Sequence, residues 1–161
     1  SVSIAAEWNG EIVVGVVYQP ILKEMFSAVI HQGAMLNKKR MMCSKKSDLS
    51  SSFLVTGFPY KLSIDSEAIS HFNTFVSMGL PIRRLGSAAI DLAYVACGRF
   101  DGFWEQQLQP WDVAAGILLV RESGGLVSNY NTELYVLGDH NMIASNSVLH
   151  DELLTALNST K

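Results

Sequence analysis

Two carboxylates seven positions apart, Glu105 and Asp112, are the side chains of this sequence best placed to do chemistry. Asp112 heads an otherwise apolar run, Trp111-Asp112-Val113-Ala114-Ala115-Gly116-Ile117-Leu118-Leu119-Val120, with Pro110 just before it. Proline suits the first turn of a helix, where its missing N–H is not needed. Asp112 therefore falls near the positive end of the helix dipole, which favours its ionised form. A buried, unpaired charge costs several kcal/mol, so Asp112 requires a partner. The plain partner is its own helix start. The chemical one is a hard cation, which takes ionised carboxylate oxygens. Ala114, Ala115 and Gly116 carry little bulk and allow another backbone to approach closely. Glu105 closes a strand, and the loop Gln106-Gln107-Leu108-Gln109 can fold both acids into one cleft.

A third element of the same cleft is Gly86-Ser87-Ala88, at another strand-to-helix turn. The first N–H groups of a helix have no internal acceptor and can meet an oxygen-rich ligand. Arg83 and Arg84 precede that turn and read as surface charge, as a rim for an anion, or as an interface. Asp91 falls mid-helix among Ala and Leu, and Asp101 precedes Gly102 in a turn; both read as structural. His31, His71, His140 and His150 have no metal-binding spacing.

The elements that must position these residues fall into two parts. Residues 1–46 read as an antiparallel meander: Val2 to Trp8 and Glu11 to Tyr18 flank Asn9-Gly10, a strong hairpin signal, and strands follow at Glu24 to His31 and Ala34 to Asn37. Lys38-Lys39-Arg40 reads as a solvated loop. The Ser-rich stretch 47–52 marks a boundary, and residues 47–161 alternate strand and helix. Strands are expected at Phe53 to Thr56, Ile82 to Leu85, Asp101 to Gln106, Leu126 to Asn129 and Met142 to Ala144. Helices are expected from Asp65, with Ala68, Phe72, Phe75 and Val76 on one face; from Ser87 to Cys97; from Pro110 to Ser123; and from Ser147, with Leu149, Leu153, Ala156 and Leu157 inward. The fold class is α/β in the α+β sense, a meander followed by a strand–helix unit.

The Trp-Asp pair, the small residues, the apolar run and Glu122-Ser123-Gly124-Gly125 resemble the C-terminal signature of the inositol monophosphatase family. The run Gly86-Ser87-Ala88-Ala89-Ile90-Asp91-Leu92-Ala93-Tyr94-Val95-Ala96-Cys97-Gly98-Arg99-Phe100-Asp101-Gly102-Phe103-Trp104-Glu105 resembles its bacterial, extragenic-suppressor branch. The resemblance covers nearly the whole chain. It implies a layered αβαβα sandwich, here expected to lack its N-terminal part, and a magnesium-dependent, lithium-sensitive phosphatase of inositol monophosphate or a related small polyol phosphate. It makes Asp112 a ligand of Mg2+, Glu105 an acceptor for a substrate hydroxyl, and the Gly86, Ser87 and Ala88 backbone a lining of the sugar pocket. It further implies a homodimer. Two other functions stand beside this one: a fructose-bisphosphate or nucleotide-phosphate phosphatase of the same superfamily, and a non-catalytic, transcription-factor-binding partner in an antitermination complex. The family's first signature, Asp-Pro-x-Asp-Gly-Thr, is absent from the 161 residues. Of the family's metal ligands only Asp112 has a match, so these residues alone are expected to lack phosphatase activity and to expose apolar surface.

Composition narrows the rest. With 48% hydrophobic and 17% charged residues, the chain has what a folded domain requires. A net charge of −3 gives no support to direct nucleic-acid binding. No apolar run approaches the ~20 residues of a membrane span. Cys43 and Cys97 form neither a metal motif nor a disulfide framework and fit a reducing cytoplasm.

Overall fold

A computed structural model describes residues 1–159. Five strands form one antiparallel meander in chain order: β1 (Val2–Trp8), β2 (Glu11–Gln19), β3 (Glu24–Val29), β4 (Gly33–Leu36) and β5 (Lys39–Arg40). The β1–β2 hairpin turns at Asn9-Gly10, both with positive φ, as a type I′ turn demands. Lys39 and Arg40, expected in a solvated loop, pair with Leu36 and Met35 as a short edge strand, their side chains still exposed. Backbone pairing and side-chain solvation are compatible at a sheet edge, and basic residues suit such an edge.

The second half builds a mixed sheet and four helices. In chain order these are β6 (Leu54–Thr56), α1 (Glu67–Ser77), β7 (Ile82–Arg83), α2 (Ala88–Ala96), β8 (Gly102–Gln106), α3 (Pro110–Glu122), β9 (Gly125–Ser128), β10 (Asn141–Asn146) and α4 (His150–Asn158). The strand order is β7-β6-β8-β10-β9, with β6 parallel to both β7 and β8, and β10 antiparallel to β8 and β9.

Alternation along this sheet separates two cores. Val55, Phe103, Met142 and Ala144 face α2 and α3, which pack on their other side against Val17, Phe26, Ala28 and Ala34 of the meander. Leu54, Trp104 and Ile143 face the opposite way, onto Phe75 of α1 and Leu153 and Leu157 of α4. The layers therefore run sheet, helix pair, sheet, helix pair. The outer face of the meander carries Val2, Ile4, Met25 and Met35, all exposed.

The small residues of α3 set its position. A Cβ on Gly15 of β2 would lie 2.8 Å from the Ala115 carbonyl oxygen and 3.0 Å from its Cα. A Cβ on Gly116 would lie 2.5 Å from Cδ1 of Leu92 in α2. So α3 lies directly on the meander on one side and on α2 on the other, and only glycine fits at both crossings. At its C-terminal end, Glu122 accepts from the His31 and Gly33 N–H groups at 2.8 and 2.6 Å, tying the β3–β4 turn to the helix. Arg99, just after α2, makes a two-pronged pair with Glu24 of β3 and lies 4.5 Å over the Tyr94 ring. That guanidinium holds the Glu24 carboxyl below its usual range.

Several sequence-based boundaries shift. The residue before α1 is Ser66 rather than Asp65, and Val76 is 49% exposed rather than on the inner face. The last helix begins at His150 rather than Ser147, because the Asn146 side chain accepts from the Val148 and Leu149 N–H groups and holds those residues in a turn.

Candidate active site

The ends of β6 and β8, the start of α2 and the start of α3 surround a cleft of about 960 Å³. The chain folds this way locally for identifiable reasons. Gly86, at φ +80°, reverses the backbone after β7. Ser87 begins α2, and the first helical bond runs from the Asp91 N–H to the Ser87 carbonyl. The preceding N–H groups of that helix start thus have no acceptor within the helix. Gly86, Ser87 and Ala88 all line the cleft.

Asp112 also lines it. In α3 it sits at the third position of a capping box: its Oδ2 accepts from the Gln109 N–H at 3.0 Å, and the Gln109 side chain accepts in return. The partner its sequence position required is thus found in the backbone. Glu105 points into the cleft from β8. A Cβ at Gly57, after β6, would overlap the Glu105 carboxylate, so the two strand ends clasp. Burial, then the like charge of Asp112, pushes the Glu105 carboxyl up to about 7, and the Arg84 guanidinium pulls against that rise. Arg84 lines the cleft as well and is braced 4.3 Å over the Phe58 ring.

The structure therefore brings together Glu105, Gly86, Ser87, Ala88 and Asp112, all singled out from the sequence. It adds two residues that the sequence reasoning missed. Gly57 backs Glu105. Asp91, read as a structural mid-helix acid, lies in the cleft wall, 1% exposed. Its spacing held a signal: four residues after Ser87, it lies one helical turn below the cleft-lining helix start. Asp101, by contrast, lies outside the cleft lining, where its Oδ2 accepts from the Phe53 N–H at 2.7 Å and joins β6 to β8.

The sequence profile of the inositol monophosphatase family matches residues 1–161. The chain belongs to the inositol monophosphatase family. Among its relatives, the inositol-1-monophosphatase of Synechocystis is 44% identical over 148 residues, 91% of this chain and 52% of the relative. The Nus factor SuhB of Pasteurella multocida is 41% identical over 158 residues, 98% of this chain and 59% of the relative. The inositol monophosphatase structure from Anabaena superposes with a TM-score of 0.92 at 40% identity, covering 98% of this chain and 63% of that one. The inositol monophosphatase fold expected from the Trp-Asp signature is thus the observed fold, and the chain spans between half and two-thirds of the length of these relatives.

Magnesium is the metal this family membership implies. Asp112 offers the right chemistry for it, a carboxylate with one oxygen engaged by the Gln109 N–H and the other not. One such ligand does not make an octahedral site, and among the described residues no group of three or more Asp, Glu, His or Cys side chains could hold a metal ion. No helix among the described residues is long and apolar enough to cross a membrane.

Proposed function

We propose that the cleft is the polyol-binding part of a magnesium-dependent phosphomonoesterase acting on inositol monophosphate or a related small polyol phosphate. The observation that carries this reading is the placement of Glu105: an acid held against Gly57 and facing a cleft whose other wall is a helix start. A carboxylate there accepts from a substrate hydroxyl, and the Gly86–Ala88 backbone donates to a substrate oxygen. Both contacts fix orientation, which lowers the barrier by removing rotational freedom before reaction. Loss of a hydroxyl partner leaves Glu105 unpaired in a half-buried site, which makes the contact discriminating. Asp112 is one ligand of the ion, and the others come from outside these 161 residues. When bound, the metal supplies an activated water and neutralises charge at the leaving oxygen. Lithium sensitivity, a homodimeric state and a cytoplasmic location belong to the same reading.

The test uses the full-length protein and a panel of inositol, glycerol, fructose and nucleotide phosphates. Glu105→Gln should raise KM for the preferred polyol phosphate by about tenfold, with a smaller change in kcat. An unchanged KM would remove Glu105 from the substrate site.

A second reading rests on the relatives named Nus factor SuhB. It makes this protein a partner of a transcription factor, with binding rather than hydrolysis as its role. Retention of partner capture by a catalytically silent Asp112→Asn variant would favour it.

A further inference from the structure

Asp91 has an unmet requirement. Its side chain lines the cleft, the residue is 1% exposed, and neither carboxyl oxygen has a hydrogen-bond partner among the described residues. Burying such a group without a partner costs several kcal/mol, and natural structures rarely leave the cost standing. Burial, then the charge of Glu105, pushes the Asp91 carboxyl up to about 8, so the two acids feel one another across the same cleft.

We propose that Asp91 is a second hydroxyl-binding group of the cleft, and that Asp91 and Glu105 together select a polyol with two neighbouring free hydroxyls beside its phosphate. The inference rests on the polyol reading of the site and narrows its substrate class. A hydroxyl both donates and accepts, so it satisfies Asp91 whether ionised or neutral. A cation satisfies the ionised form alone, and among the described residues the acids do not gather into a cation site. Two acids lining one cleft repel when both are charged, and a diol that donates to each relieves that repulsion without sharing one hydroxyl between them.

The experiment reads a ratio in the full-length protein. kcat/KM is measured for inositol 1-phosphate and for para-nitrophenyl phosphate, which lacks hydroxyls, in the wild type, Asp91→Asn and Glu105→Gln. Asp91→Asn is expected to lower the polyol-to-aryl ratio by about tenfold or more, through KM. A purely structural role would move both substrates together, and a ratio within twofold of wild type overturns the inference. If Glu105→Gln lowers the ratio while Asp91→Asn does not, only this inference fails. If neither lowers it, the polyol reading of the cleft fails too. Should Asp91→Asn not fold, the wild type decides: the carbon-13 resonance of the Asp91 carboxyl shifts on saturation with free inositol if the contact exists, and a resonance that stays in place overturns it.

Discussion

The Glu105 carboxylate occupies the space that the first carbon of any side chain at residue 57 would fill. The contact joins the end of β6 to the end of β8 and fixes the direction of the acid. Gly57→Ala must therefore push the carboxylate aside, and the half-buried setting gives it little choice of a new rotamer. Because a misplacement of about 1 Å in a positioning group costs up to a hundredfold, kcat/KM for a polyol phosphate should fall between about tenfold and a hundredfold in the full-length protein. The thermal midpoint should change little, since Gly57 is only partly buried. Equal kinetics in the two proteins would show that Glu105 is not held by this contact.

Much of the site was legible because its residues carry local signals. Pro110-Trp111-Asp112 announces a helix start, Gly86-Ser87 announces another, and Glu105 closes a short strand that carries Phe103 and Trp104. What was not legible depends on packing between distant segments. Gly57 looks like any loop glycine until β8 is placed beside β6. Asp91 looks like a tolerated mid-helix acid until α2 is laid against α3 and its outer turn is found to open on the cleft. The same holds for the edge pairing of Lys39 and Arg40, which depends on Met35 and Leu36 rather than on the basic run itself. Helix starts moved by one to three residues where a side chain such as Asn146 captured the backbone ahead of the expected cap.

Close approach of α3 to the meander gives a stability prediction. A methyl on Gly15 meets backbone, the carbonyl and Cα of Ala115, neither of which can step aside. Gly15→Ala should cost about 1–3 kcal/mol, the usual range for overpacking. Gly116→Ala meets the Cβ of Leu92 at 2.6 Å, which no change of rotamer moves, and regains only about 1 kcal/mol of helix propensity, so it should cost as much as Gly15→Ala or more. Urea denaturation of the two variants, compared at constant m-value, checks both the size and the order of the effects.

Asp91 makes stability depend on pH in an unusual direction. Folded, its carboxyl keeps a proton up to about pH 8; unfolded, it loses the proton near the ordinary aspartate value of 3.8. Between these limits the folded chain binds more protons than the unfolded chain, so raising the pH favours unfolding. Stability from this group is complete below about pH 4, declines through the interval, and levels off above about 8. The slope for one such proton is about 1.4 kcal/mol per pH unit at its steepest. Glu105, raised to about 7, adds in the same direction. Asp91→Asn should remove the Asp91 share, leave the smaller Glu105 slope, and be more stable than wild type at pH 8. Denaturation midpoints of this chain between pH 5 and 8 provide the measurement; parallel curves for the two proteins would mean that Asp91 finds a partner in solution.

Asp112 has two duties that one substitution can separate. Its Oδ2 caps α3 through the Gln109 N–H, and its charge raises the Glu105 carboxyl and offers an oxygen to a divalent ion. Asparagine keeps an acceptor oxygen in the capping position, so Asp112→Asn should leave the helix start intact and shift stability by about 1 kcal/mol or less. It removes the negative charge, so the Glu105 carboxyl should titrate lower, and magnesium binding by the full-length protein should weaken sharply in calorimetry. The 161-residue chain should show neither tight magnesium uptake nor phosphomonoester hydrolysis, with or without the substitution, because a single carboxylate cannot build an octahedral site. Supplying the N-terminal third of a family member in trans should restore hydrolysis to the wild-type chain and not to the variant. Magnesium uptake that survives Asp112→Asn undiminished would place the ion elsewhere and leave Asp112 as a helix cap alone.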